Sequence, residues 1–91
     1  MKFSTKSRYA LRLVADLAIH RTDGVLRLKD VASRQNITEK YAEQIISMLK
    51  HGGLVQAKRG TQGGYTLTKP AAEITIGEIL RLTEGDLAPV P

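Results

Sequence analysis

The chain has 91 residues, 42% of them hydrophobic, with one Phe, three Tyr and no Trp. This composition fits one small domain with an aliphatic core, and burial at this size removes only about 60 to 65% of the unfolded chain's surface from water. The absence of Cys excludes disulfides, thiolate metal sites and cysteine nucleophiles, and no run approaches a signal-peptide core or a membrane span, so a cytoplasmic protein with no membrane partner is expected.

Charge is unevenly placed. Residues 1–69 hold 13 Lys or Arg against 5 acidic residues, a balance of +8, whereas residues 70–91 hold Arg81 against Glu73, Glu78, Glu84 and Asp86, a balance of −3. Clustered basic charge is the electrostatic footprint of a nucleic-acid binder, although an acidic protein or an anionic lipid would be drawn by the same charge.

In chain order, Ser4 or Thr5 caps a first helix that runs through His20, because each offers a hydroxyl to an orphan N–H of the first turn. Its polar positions, Arg8, Arg12, Asp16 and His20, recur every four residues and nearly everything between them, Tyr9 included, is apolar, so most of its circumference should be buried. Two readings follow. Either Leu11, Ala15 and Ile19 face a partner subunit or a segment absent from these 91 residues, or the helix is central to its own domain. Full cover of Leu11 and Ile19 within one chain decides for the second.

Arg21 to Gly24 reads as a turn, Val25 to Leu28 as a short strand, and about Lys29 to Gln35 as a second helix with Leu28, Val31 and Ala32 facing inward. Asn36 tolerates the left-handed conformation that ends a helix tightly. Ile37 then plugs the gap between helices and Thr38 caps a third. Two short helices joined by so brief a turn make a helix-turn-helix.

The third helix separates into two faces. Ala42, Ile45, Ile46 and Leu49 fall at i, i+3, i+4 and i+7 and pack inward, while Lys40, Glu43, Gln44, Ser47 and Lys50 share the outer face. Lys and Gln side chains reach base edges in a major groove, and Glu accepts from a cytosine amino group. Taken alone, this is also the polar face of any amphipathic surface helix.

The next segment adds weight to the groove reading. Leu54 to Lys58 and Tyr65 to Thr68 alternate as half-buried strands, linked by Arg59-Gly60-Thr61-Gln62-Gly63-Gly64. Three glycines in six residues permit positive φ and close backbone approach. Arg59 at the base of this tip suits a narrow minor groove or a phosphate. A nucleotide phosphate loop is excluded by context, since the glycines lead into a strand and lack a Gly-Lys-Ser or Gly-Lys-Thr ending.

A last helix is expected from near Thr75 to Glu84, with Ile76, Ile79, Leu80 and, beyond it, Leu87 packing against the first. Residues 1–84 thus read as one domain, mainly α with a small β-hairpin, and residues 85–91, ending Ala88-Pro89-Val90-Pro91, as an extended tail. His20 and His51 sit on separate helices with no nucleophile, base or metal-ligand spacing around them, so an enzyme is not expected. His51, in the last turn of its helix, suits the helix dipole.

Tyr41-Ala-Glu-Gln-Ile-Ile, Leu49 with Gly53-Leu-Val, Arg59-Gly-Thr-Gln-Gly-Gly-Tyr-Thr-Leu and Ile74-Thr-Ile-Gly-Glu-Ile-Leu together resemble the Rrf-two family of bacterial winged-helix regulators. The opening Met1-Lys-Phe-Ser-Thr-Lys-Ser-Arg-Tyr-Ala-Leu is similar too, so the resemblance covers the whole chain. It implies a winged helix-turn-helix transcriptional regulator, most simply a repressor, that binds a palindromic site on double-stranded DNA as a homodimer. Position by position, Thr38, Lys40, Tyr41, Glu43 and Gln44 would lie at the groove, joined by Ser47 on the same face, and Arg59 and Gly60 at the wing, with Thr61 and Gln62 at its tip. Some family members bind an iron-sulfur cluster through a cysteine-bearing loop that precedes a long dimerisation helix. Neither segment is among these 91 residues, so no cofactor is expected of this chain, which reads as the DNA-binding portion of a longer regulator or as a shortened relative. The other class that fits is a winged-helix protein-interaction module without specific DNA binding.

Overall fold

A computed structural model of the chain describes residues 3–84. Helix α1 (Thr5–Ile19) is followed by a short 3-10 turn (Arg21–Asp23), α2 (Leu28–Gln35), α3 (Glu39–His51), an antiparallel hairpin of β1 (Val55–Lys58) and β2 (Gly64–Leu67), a second 3-10 turn (Ala71–Glu73) and α4 (Ile76–Glu84). The hairpin pairs Val55 with Leu67 and Lys58 with Gly64, so residues 59 to 63 form the loop.

The helix boundaries follow local chemistry. Ser4 accepts the Ser7 N–H at 3.1 Å and Thr38 the Tyr41 N–H at 3.0 Å, each satisfying an orphan donor of a first turn. Asn36 ends α2 at φ 55°, ψ 46°, as expected of a residue that tolerates the left-handed region. At α4, Thr75 and Glu78 cap reciprocally: the Glu78 N–H donates to Thr75 Oγ1 at 3.0 Å and the Thr75 N–H to Glu78 Oε2 at 2.8 Å. The bond from the Thr75 N–H, with one from Lys69 Nζ at 3.1 Å, holds the Glu78 carboxyl below the ordinary carboxylate range.

The core is aliphatic. Ala10, Leu13 and Leu17 of α1 meet Val31 and Ala32 of α2 and Ala42, Ile45, Ile46 and Leu49 of α3, closed by Leu54 and Val55 below the hairpin and by Ile79 of α4. The inward positions assigned to α3 by its periodicity are all buried.

Three features depart from the sequence reading, and one more lay outside it. Val25 to Leu28 is no strand of its own: Leu26 alone bridges to Tyr65, and Leu28 already begins α2. Asp16 does not belong to a wet strip, since only 4% of it is exposed. It receives Arg34 Nη2 at 2.7 Å and Nε at 3.0 Å, and Gln35 Nε2 at 3.1 Å. Burial pushes its pKa up, but the hydrogen bonds from Arg34 and Gln35 and the Arg34 charge outweigh burial, and the carboxyl lies below its usual range. Ser7, for which the sequence carried no expectation, is fully buried; its hydroxyl lies 2.6 Å from Thr83 Oγ1 and 2.8 Å from Glu84 Oε1, tying the end of α4 to the start of α1. Finally, Ile76 is 59% exposed and takes no part in the core, whereas Ile79 does. The expected packing of Leu87 and the extended tail lie outside the described residues.

The exposed residues of α1 are Thr5, Lys6, Arg8, Arg12, Ala15 and Ile19, with Leu11 half-buried beside them. Ile19 is 74% exposed, so the condition for a helix central to its own domain is not met by the described residues.

Candidate nucleic-acid interface

Two elements build this surface. Helix α3 is anchored by its buried row, which leaves Thr38, Lys40, Glu43, Gln44, Ser47 and Lys50 exposed at its start and along its outer face. Among the described residues, Lys40, Glu43 and Lys50 make no ion pair or side-chain hydrogen bond, and all three are exposed. The Thr38 hydroxyl is already engaged as the cap, which leaves its second lone pair and its proton for an outside partner.

Tyr41 is placed differently from its neighbours. It is half-buried, its ring meeting that of Tyr9 edge-on at 5.8 Å and 82°. The Arg12 guanidinium lies 5.1 Å from the Tyr9 ring centre, continuing the contact on to α1. Tyr41 therefore seats the first turn of α3 against α1, with an edge at the surface.

The wing is a five-residue loop closed by a turn in which the Gly63 N–H donates to the Gly60 carbonyl at 2.9 Å. Gly60 has φ 109°, a conformation that L side chains rarely adopt. At Gly64 the requirement is space: a Cβ there would overlap the Leu26 carbonyl, where the Leu26 and Tyr65 backbones exchange hydrogen bonds of 2.9 and 2.8 Å. Arg59, Thr61 and Gln62 are all exposed, and Arg59 has no partner among the described residues.

One contributor was not visible in the sequence. Arg27, just before α2, donates from Nη2 to the Thr61 carbonyl at 3.1 Å, joining the helix-turn-helix to the wing tip. Neither hydrophobic periodicity nor a motif marks a contact between residues 34 positions apart. Tyr9 was read only as one of the apolar positions of α1, and its pairing with Tyr41 likewise needed the tertiary fold.

No group of three or more His, Asp or Glu side chains converges to hold a metal among the described residues, and the chain has no Cys. The donor set of this stretch of chain does not fit an iron-sulfur cluster, and no step is assigned to one.

A helix-turn-helix whose second helix stands beside a glycine-tipped hairpin is a winged helix-turn-helix. The chain belongs to the Rrf2 (Rrf-two) family, whose model, described as an iron-dependent transcriptional regulator, matches residues 3–91. It is 43% identical over 90 residues to the HTH-type transcriptional regulator CymR of Bacillus subtilis, covering 99% of this chain and 65% of that relative. The solved structure of B. subtilis CymR, the global cysteine regulator, superposes with a TM-score of 0.89 at 42% identity over 100% of this chain and 70% of that one. IscR of T. potens gives 0.86 at 42% identity, covering 99% and 66%.

Proposed function

We propose that this domain is the sequence-specific DNA-binding unit of a transcriptional regulator, with α3 in the major groove and the wing on the neighbouring minor groove or backbone. The observation that carries this reading is the outer face of α3. Lys40, Glu43, Gln44 and Ser47 stand exposed in a row without side-chain partners among the described residues, on a helix whose other face is fixed in the core. Donors and acceptors of this length read base edges directly. Thr38, at the head of the helix, suits a phosphate, and Tyr41 orients the first turn.

Arg59 supplies the wing's charge, with Gly60 permitting close approach and Thr61 and Gln62 at the tip. An exposed guanidinium without a partner among the described residues suits a phosphate or a narrow minor groove. The family relationship and the likeness to transcriptional regulators support the same reading. Repression follows most simply, since a bound domain of this kind occupies duplex that a polymerase would need. Such a regulator works in the cytoplasm, no helix among the described residues being long and apolar enough to cross a membrane. Catalysis has no part in this reading, and DNA recognition draws on no cofactor held by these residues.

The stripe of α1 formed by the exposed Ala15 and Ile19 with the half-buried Leu11 is where a second copy would sit. A two-fold dimer would then bind a palindrome with half-sites about 34 to 36 Å apart, or a multiple of that. The same stripe is the observation favouring the second reading, a protein-interaction module that docks through α1.

Binding of the purified chain to a randomised duplex pool at two salt concentrations, followed by sequencing, tests both. Enrichment of a palindrome is expected, with affinity falling steeply as salt rises. Absence of binding at either salt would leave the interaction module.

A further inference from the structure

We propose that Arg27 is a positioning residue for the wing, clasping the tip to the helix-turn-helix so that Arg59 is held at a fixed distance from the outer face of α3. The proposal rests on the DNA-binding reading for its consequence, but the clasp itself is a property of the free protein.

The hairpin is gripped at three heights. At its base Leu54 and Val55 are buried in the core. At mid-height the Leu26–Tyr65 bridge pairs the segment before α2 with β2, which the lack of a side chain at Gly64 makes possible. At the tip, beyond the last strand pair at Lys58 and Gly64, the loop residues are exposed apart from Gly63, which is half-buried. Two hydrogen bonds act there. The Gly63 N–H closes the turn on the Gly60 carbonyl, which leaves the Thr61 carbonyl pointing away from the turn as an acceptor. Arg27 Nη2 fills it at 3.1 Å.

Arg27 follows directly on the bridging Leu26 and immediately precedes the first residue of α2. Its backbone is thus fixed on both sides, by the bridge and by the helix, where its carbonyl accepts the Asp30 and Val31 N–H groups, both at 3.1 Å. A side chain launched from so fixed a point transmits the position of the helix-turn-helix to the loop. Among the described residues Arg27 has no carboxylate partner that would draw it elsewhere. Its charge-assisted bond to a neutral carbonyl is stronger than an ordinary amide bond. A wing held this way presents Arg59 with less conformational freedom to lose on binding DNA.

The test has two arms. In the free protein, Arg27→Ala should speed amide exchange at Gly63 and its loop neighbours by roughly three- to tenfold, the worth of one exposed hydrogen bond, with the amides of α3 unchanged. On DNA, Arg27→Ala and Arg59→Ala should be strongly non-additive, because Arg27 acts through Arg59; in an Arg59→Ala background the loss of Arg27 should change affinity by less than about twofold. Unchanged exchange would overturn the clasp. Faster exchange with losses that multiply would overturn its role in recognition and make Arg27 an independent phosphate contact. If the parent chain binds no DNA, the exchange arm still decides the clasp, and it is the DNA-binding reading that fails.

Discussion

The polar groups of this domain fall into two regions that contrast in one respect: whether their partners lie within the chain. Inside, Asp16 is fully engaged by Arg34 and Gln35, and Ser7 by Ser4, Thr83 and Glu84; no buried side-chain nitrogen or oxygen is left unsatisfied among the described residues. Outside, Lys40, Glu43, Lys50 and Arg59 project from α3 and the wing without partners among the described residues. Burial explains the difference, because an unpaired group out of water costs about 1 to 3 kcal/mol while an exposed one costs nothing. The inner set therefore specifies the fold, and the outer set is available to something that is not this chain.

The contrast predicts effects of different size and kind. The largest should come from Arg34→Met, which strands a buried carboxylate. Removing one partner of a buried pair destabilises by about 3 kcal/mol, somewhat less here because the Arg34 side chain is 34% exposed. For a domain of this size a loss of about 2 to 3 kcal/mol lowers Tm by roughly 10 to 20 °C, measurable by thermal unfolding. An unchanged Tm would mean that the inner set does not specify the fold. The double change Asp16→Leu with Arg34→Met should recover much of the loss, since no charge is then left buried.

Acid should reveal the same pair. The Asp16 carboxyl titrates below its unfolded value of about 3.9, so its contribution is fully present above that pH and is lost as pH falls towards the folded value. Asp16→Asn should be less stable than the parent at neutral pH, and the gap should narrow below about pH 4. Urea unfolding at a series of pH values reads this; a constant gap would remove Asp16 as the cause. Glu84, held below its ordinary range by hydrogen bonds from the Ser7 hydroxyl and the Ser4 N–H, shares the sign but is too exposed for a comparable effect.

These two regions were not equally legible in the sequence. The third helix, its Thr38 cap, the Asn36 turn and the hairpin with its glycines are local devices, each set by residues a few positions apart, and the structure places them within a residue or two of expectation. Asp16 was misplaced because a helical repeat treats every carboxylate as surface, and its guanidinium partner lies 18 residues away on another helix. The strand expected at Val25 to Leu28 shrank to one bridge because α2 begins at Leu28. The chemistry of the outer face could be read from spacing alone, but the Arg27 bond to the wing tip and the Tyr9–Tyr41 contact could not, since both are set by packing between elements.

On the outer surface the expected changes are in affinity, with stability unaltered. Arg59→Ala should weaken binding by about tenfold and reduce the slope of log affinity against log salt by about 0.9 if the guanidinium neutralises one phosphate. If the loss is confined to sites with a narrow minor groove, Arg59 reads shape. Glu43→Ala should act more weakly and in the opposite sense. Its carboxylate is repelled by DNA and, having no cation partner among the described residues, is not silenced from within the chain. Its removal should admit sites that lack a suitably placed cytosine, relaxing discrimination by about 1 kcal/mol at that position, as read by sequencing bound duplexes. Unchanged base preference would take Glu43 off the reading face.

The smallest effect on the folded chain, and the sharpest division between the regions, is expected at Ile19. A large aliphatic side chain that is 74% exposed has little burial to lose, so Ile19→Ser should alter the stability of the isolated domain by no more than about 0.5 kcal/mol. If α1 meets a second copy, the same change should shift sedimentation equilibrium towards monomer and weaken binding to a palindrome more than to a single half-site. A loss of stability with no change in association would place Ile19 with the inner set, and α1 would then be central to its own domain. Because α3 and the wing are remote from this substitution in sequence, a selective loss on the palindrome also separates failure to pair from failure to read bases.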